Sequence, residues 1–141
     1  MKRSEELAPL SRDHHQGLFA ALKLKRGAPD AREAFLAFWD SEGNHHFAVE
    51  EDVLLPAFAR HAPADHEAIV RVLVEHVEVR RRAQDLSKDM QPALGMLHEL
   101  GTVLQAHIRH EENILFPLIE STLTSDELDD LGTALERAEA G

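Results

Sequence analysis

Apolar residues recur at three- and four-residue spacing along four long segments of the chain, and few segments alternate in the way typical of strands. This spacing places the apolar residues on one face of a helix. Glycine and proline fall mainly between the segments, where they mark turns. The pattern predicts an all-α protein. Because four long helices with short connections pack as antiparallel neighbours, we expect an up-down-up-down four-helix bundle.

Capping residues and helix breakers set the predicted bounds of these helices. The four bounds are Ser11 to about Lys25, Asp30 to about Arg60, Asp65 to about Met90, and Met96 to about Glu120. Asp30 with Glu33 has the spacing of a capping box, and so has Thr124 with Glu127. The second box predicts a short C-terminal fifth helix with one apolar face, formed by Leu128, Leu131 and Leu135. A length of 141 residues indicates one domain over residues 1–141.

Histidines and glutamates occupy helix positions at which a bundle core normally has leucine. We call a row of residues on one helix face, spaced by three and four positions, a seam. The seam of the fourth helix contains Leu97, Leu100, Leu104, His107, Glu111, Ile114 and Leu118. The third has the same steps through Ile69, Val72, His76, Val79, Ala83, Leu86 and Met90. The second has them through Leu36, Trp39, Gly43, His46, Glu50, Val53 and Ala57. Imidazoles and carboxylates are therefore predicted to face the interior.

The polar seam residues belong to an internal repeat with an offset of 61 residues. Residues 46–56 and 107–117 share a histidine, two successive glutamates, a leucine and a proline. His15 and His76 are also 61 residues apart, so the repeat pairs them. Leu18, Phe19 and Leu22 lie at helical spacing from His15. We therefore prefer His15 as the inward imidazole of the first helix, with the adjacent His14 as the alternative. The repeat predicts that six residues meet inside the bundle: His15, His46, Glu50, His76, His107 and Glu111.

A cluster of this composition indicates a metal site. Two buried carboxylates would cost several kcal/mol each without a neutralising charge, and a coordinated cation removes this penalty. Imidazole and carboxylate ligands suit iron, manganese or zinc better than magnesium or calcium. Two ions are favoured over one, because two bridging glutamates and two histidines per ion give each ion four protein ligands. The chain has no cysteine and no tyrosine, which excludes thiolate and phenolate ligands.

The charge of the chain excludes other classes of partner. Asp and Glu number 26 against 15 Lys and Arg, and the resulting net charge of −11 would repel nucleic acid and anionic membranes. We find neither the apolar stretch of a signal peptide nor a run of about 20 apolar residues that could span a bilayer. A cytoplasmic location is expected.

These motifs resemble the hemerythrin family, specifically the hemerythrin-like HHE cation-binding domains, from His15 to about Glu120. The resemblance implies a non-haem diiron centre inside a four-helix bundle, held by histidines and bridging carboxylates. Oxygen-carrying hemerythrins have two histidines four residues apart on the third helix, whereas this chain has Val72 one turn before His76. Those carriers also use an aspartate five residues after the fourth-helix histidine, and here Glu111 follows His107 at four residues. Such a site should be more open to hydrogen peroxide, nitric oxide or solvent than that of an oxygen carrier.

We therefore expect a protein that binds two iron ions, for which zinc or manganese could substitute, and that binds or reduces a small oxidant: O2, NO or H2O2. The alternative is a metal- or oxygen-responsive sensor without turnover, and the plainest possibility is a helical bundle without metal. Whether the protein is an enzyme is left open, and no protein partner is indicated. The remaining five histidines fall off the seams and should be exposed or hydrogen-bonded to ligands: His45, His61, His66, His98 and His110.

Overall fold

The computed structural model describes residues 3–141, which are all-helical and contain no strand. A short 3₁₀ turn at Glu5–Leu7 precedes five helices. These are α1 (Ala8–Arg26), α2 (residues 31–58), α3 (Glu67–Lys88), α4 (residues 94–122) and α5 (Ser125–Ala140). The prediction of an all-α protein with a C-terminal fifth helix is confirmed. Among residues 3–141, no helix combines the length and the apolar character that crossing a membrane requires.

The helix caps differ in part from the prediction. Thr124 and Glu127 form the expected capping box at the start of α5. The proposed cap at Ser11 is wrong, because α1 already begins at Ala8 and the Ser11 hydroxyl donates to Glu112 on α4. The first capping box is also wrong. Asp30 lies at the N-cap of α2, but its carboxylate accepts a hydrogen bond from Lys23 instead of capping the helix.

Helices α2 and α4 are continuous but contain π-helical turns, in which one extra residue is inserted. The turns Glu50–Leu54 and Glu111–Leu115 occupy equivalent places in the repeat. Pro56 and Pro117 follow each turn by two residues. A proline has no N–H to bond the carbonyl four residues earlier, and its ring clashes with that carbonyl, so the α-helical ladder opens there. The repeated prolines thus account for the repeated π turns.

The extra residue changes which side chains face the interior after each turn. In α4 the buried residue is Leu115, whereas the predicted seam residue Ile114 is 55% exposed. In α2 Leu54 is buried, and the predicted Val53 is only partly buried. The predicted seams are therefore wrong beyond Glu50 and Glu111. Met90 also leaves the third seam, because it follows the end of α3 and is exposed.

The interior consists of two apolar clusters with a polar layer between them. One cluster contains Leu10 and Leu115, and the other contains Leu24 and Leu104. Along each of the four long helices, a buried histidine lies near the transition from residues of one cluster to residues of the other. These histidines are His14, His46, His76 and His107. The apolar clusters therefore enclose the polar layer from both ends.

Candidate metal centre

Four helices contribute side chains to the polar layer. Each of the long helices supplies one histidine, and α2 and α4 each supply a glutamate one turn later. The cluster consists of His14, His46, Glu50, His76, His107 and Glu111, and none of the six is more than 4% exposed. The structure thus brings together five of the residues that we expected from the repeat.

The sixth expected residue, His15, does not join the cluster. Its side chain is exposed on α1, whereas His14 is buried. His14 shares its helix face with the buried Leu10 and Gly17, four residues before and three after it. Phe19, which supported the choice of His15, is 58% exposed. The preference for His15 as the inward imidazole is therefore corrected to His14.

A one-residue difference between the two halves of the repeat explains this correction. His46 and His107 are 61 residues apart, but His14 and His76 are 62 apart. The second helix of the first half contains an additional π turn, Trp39–Gly43, whereas the equivalent part of α4 is a regular α-helix, Leu94–His110. Because a π turn holds one residue more than an α turn, it accommodates the extra residue. A constant offset of 61 therefore selects the wrong member of the His14 and His15 pair.

Each buried glutamate lies between two imidazoles from different helices. In one half of the cluster, Glu50 Oε1 is 3.0 Å from His76 Nε2, and Glu50 Oε2 is 3.2 Å from His46 Nε2. Glu111 repeats this arrangement in the other half. Its Oε1 is 2.9 Å from His14 Nε2 and its Oε2 is 3.4 Å from His107 Nε2. All four imidazoles thus present Nε2 to the centre.

A second set of acids, which we call the outer carboxylates, holds the other nitrogen of each imidazole. The Nδ1 contacts are His14 with Glu112 at 2.5 Å, His46 with Asp13 at 2.9 Å, His76 with Glu51 at 2.7 Å, and His107 with Glu75 at 2.7 Å. A carboxylate only accepts hydrogen bonds, so each Nδ1–H donates to its partner. Nε2 is then the nitrogen that faces inward and is available to a metal, as in metal-ligating histidines.

The outer carboxylates were missed from the sequence, although they leave a signal in it. Glu51 and Glu112 are the second members of the two Glu-Glu pairs. Asp13 and Glu75 each directly precede a cluster histidine. These positions lie beside the seams and not on them, so a search for inward-facing residues does not select them.

The ligand atoms divide into two groups that could each hold an ion. One group comprises His14, His46, Glu50 and Glu111, and the other comprises Glu50, His76, His107 and Glu111. Within each group the ligand atoms lie within 4.8 Å of one another. Four of these atoms are buried without a hydrogen-bond partner: His46 Nε2, Glu50 Oε2, His107 Nε2 and Glu111 Oε2. Buried polar atoms are rarely left unpartnered, and a bound cation would satisfy all four. The donor set therefore fits a metal.

The electrostatics of the cluster lead to the same conclusion. Burial alone would lower the pKa of His107, but the charge of Glu111 and the hydrogen bond to Glu75 raise that pKa to about 10. The pKa of His46 is likewise raised well above its usual value, since Glu50 and Asp13 outweigh its desolvation. Burial would raise the pKa of Glu111, but His107 and His14 hold it well below the usual value. Without a metal the cluster retains protons, and a cation would replace them.

The five histidines predicted to lie off the seams all lie outside the centre, as expected. His45, His61 and His98 are exposed and bond to surface groups, and His66 caps the start of α3 by accepting from a backbone N–H. His110 differs from the expectation. It is buried on α4, and its Nε2 has no hydrogen-bond partner among the described residues.

Comparison with known proteins identifies one family. The family model described as Hemerythrin HHE cation binding domain matches residues 8–119. The match begins at the start of α1, includes all six cluster residues and ends before α5. No curated protein and no solved structure shows a significant match to the chain.

Proposed function

We propose that the chain, which belongs to the hemerythrin HHE cation-binding domain family, is a non-haem diiron protein that binds or reduces a small oxidant. The chain buries a cluster of four imidazoles and two carboxylates able to bind metal. The oxidant is O2, NO or H2O2. The six proposed ligands are His14, His46, Glu50, His76, His107 and Glu111. Zinc or manganese can occupy the same ligands in a recombinant preparation.

The sharing of Glu50 and Glu111 between the two ligand groups is the observation that carries this proposal. Each carboxylate has one oxygen beside an imidazole of its own helix and the other beside an imidazole of a different helix. A carboxylate placed in this way can bridge two ions. Each ion would then have two imidazoles and two carboxylate oxygens as protein ligands.

We also propose that α1 to α4 form an antiparallel four-helix bundle around the centre. Support comes from the cluster itself, to which each of these helices contributes one histidine. Support also comes from the two apolar clusters, which enclose the polar layer from both ends. In such a bundle, metal ligands project inward from facing helices.

The side chains around the centre favour a small substrate. When bound, iron would supply the redox capacity and polarise the oxidant. The outer carboxylates orient the imidazoles, and the apolar clusters exclude bulk water. A small, mostly apolar cavity of about 10 Å³ adjoins His14, His46 and His107. This is close to the room that a single water molecule needs, so larger substrates would not reach the ligands.

Metal content per chain, measured for the purified protein and for variants, tests the proposal. We expect about two iron ions per chain, with near-ultraviolet charge-transfer absorption. Glu50→Ala should remove both ions, because both ligand groups use this carboxylate. His14→Ala should retain about one ion, because only one group uses this imidazole. Exposed His15→Ala is the matched control and should retain both.

Circular dichroism of each variant verifies that the protein has folded. Full iron content and unchanged absorption in Glu50→Ala and Glu111→Ala would contradict the bridging role. One zinc ion per chain in the protein as isolated would weaken the assignment to redox chemistry. Mixing the reduced iron protein with O2, NO or H2O2 and following its absorption then identifies the oxidant.

A sensor without turnover is the second candidate, and the four unpartnered buried atoms favour it. Since the empty cluster leaves polar atoms unsatisfied, metal binding should contribute directly to folding. A sensor would change its stability and its partner binding with metal occupancy but would not consume the oxidant. Equal melting temperatures with and without chelator would contradict it, and catalytic consumption of the oxidant would favour the first candidate.

A further inference from the structure

Helix α3 carries a second seam on the face opposite its buried one. Glu67, Val70, Val74, Val77 and Arg81 follow one another in steps of three and four residues. The three valines are 43%, 61% and 65% exposed. We call these five residues the outer stripe. Leu73 lies beside it and is 40% exposed, so four of the nine large exposed apolar side chains of the described residues gather here.

So many exposed apolar side chains are unusual for a helix face that contacts only water. Valine is a poor helix former, so nothing in the helix itself favours three exposed valines over alanine or lysine. Burial against another apolar surface would offset the low helix propensity of these valines. Side chains at three- and four-residue spacing also form the kind of continuous row that packs against a second helix.

The charges on this face identify the second helix. Glu67 and Arg81 lie seven residues before and seven residues after Val74, and the flanking Arg71 and Glu78 are placed almost symmetrically about the same point. An antiparallel copy of α3 centred at Val74 would therefore place each acid opposite an arginine. A parallel copy would oppose like charges. These four charges sum to zero, so they add no net repulsion between two copies at this face.

We propose that the outer stripe is the contact surface of a symmetric homodimer, in which two antiparallel α3 helices meet about a two-fold axis beside Val74. Such an interface uses the same patch of both chains. Glu67 forms no ion pair within residues 3–141, so it is available to a partner. Arg81 contacts Glu78 at 2.9 Å and Asp85 at 3.7 Å, but it remains 55% exposed and has further donors.

Sedimentation at protein concentrations from about 1 μM to about 500 μM tests for this dimer, since one small stripe should give micromolar and not nanomolar affinity. We expect a dimer that dissociates on dilution. Val74→Asp should weaken the association by about tenfold or more, because it places two like charges at the axis. Leu22→Asp, at an exposed apolar position on α1, is the matched control and should not change it.

Charge reversal tests the antiparallel arrangement. Glu67→Arg and Arg81→Glu should each weaken self-association, because each opposes like charges across the axis. An equimolar mixture of the two variants should form a heterodimer, because every facing pair is then of opposite charge. Weakening in the mixture equal to that of each variant alone would overturn the arrangement.

Cross-linking gives a readout that does not depend on affinity. The chain has no cysteine, so Val74→Cys introduces a single thiol. A short bis-maleimide should link two Val74→Cys chains, and should not link two Leu22→Cys chains. A chain that stays monomeric at the highest concentration and gives no cross-link at Val74 would overturn the proposal and assign the outer stripe to a different protein.

Discussion

Removing metal should make the stability of this protein fall as the pH rises. In the metal-free cluster, the carboxylates hold protons on the imidazoles. The pKa of His107 is raised to about 10 and that of His46 lies well above its usual value. Unfolding frees both imidazoles to titrate near pH 6.5. Above pH 7 the folded state therefore binds more protons than the unfolded state, and the free energy of unfolding must decrease with pH.

The magnitude follows from the number of protons. Each proton bound only in the folded state contributes a slope of about 1.4 kcal/mol per pH unit. Between pH 8 and pH 9 we therefore expect a loss of about 1.4 kcal/mol from His107, and His46, whose pKa is raised in the same direction, adds to this loss. Glu111 does not contribute in this window, because its pKa is lowered and its stabilisation is lost only as the pH falls through the acid range. With metal bound, the ligands carry no such protons and the slope should disappear.

Urea unfolding of chelator-treated protein, followed by circular dichroism at several pH values, measures this slope. His107→Gln should reduce the slope by about 1.4 kcal/mol per pH unit. Exposed His15→Gln, outside the cluster, should leave the slope unchanged. A free energy of unfolding that is constant or rises from pH 8 to pH 9 in the metal-free protein would refute the reasoning, because the imidazoles would then not be held charged by the buried carboxylates.

Further substitutions test three other parts of the structure. Glu112→Gln should weaken metal binding by about tenfold to hundredfold in competition with a chelator, and unchanged affinity would contradict the role of the outer carboxylates. Leu115→Ala should cost about 2–5 kcal/mol in urea unfolding and Ile114→Ala less than about 0.5 kcal/mol, whereas the reverse order would contradict the π turn. Gly101→Ala should cost about 1–3 kcal/mol, since its Cβ would lie 2.7 Å from a main-chain oxygen of α1. Gly95→Ala, whose Cβ would have no atom within 4 Å, should be neutral or stabilise by up to about 1 kcal/mol, and urea unfolding measures both glycine variants.

The regular parts of the fold could be predicted because they depend on local patterns. The all-helical class follows from apolar spacing, and the capping box of Thr124 and Glu127 follows from two residues of one turn. The approach of His46, His76 and His107 to one another follows from their seams. Helix α3 contains no π turn, and His46 and His107 precede the π turns that begin at Glu50 and Glu111. Such predictions are correct as long as the number of residues per turn stays constant along the helix.

The errors arise where the helix period changes. A π turn advances the chain by one residue, so Leu115 and not Ile114 faces the interior. The same kind of turn at Trp39–Gly43 changes the repeat offset, so His14 and not His15 joins the cluster. Proline at position 117 marks one of these turns, but a proline inside a helix can also produce a kink or an end. The local sequence alone therefore does not determine which residues face the interior after the proline.

The two halves of the centre have the same inner ligands, but their outer carboxylates have different neighbours. In the first half, the outer carboxylate of His46 is Asp13, and one of its oxygens lies within 4.8 Å of a carboxylate oxygen of Glu139 on α5. Burial and the neighbouring Asp13 raise the pKa of Glu139 to about 7. In the second half, the corresponding Glu75 accepts a hydrogen bond from Arg71 at 3.2 Å. A carboxylate beside an arginine is a weaker acceptor for an imidazole N–H, and the strength of that hydrogen bond sets the basicity of the ligating nitrogen. We therefore expect two ions held by equal inner ligands to differ in affinity, with α5 on one side and Arg71 on the other contributing to the difference.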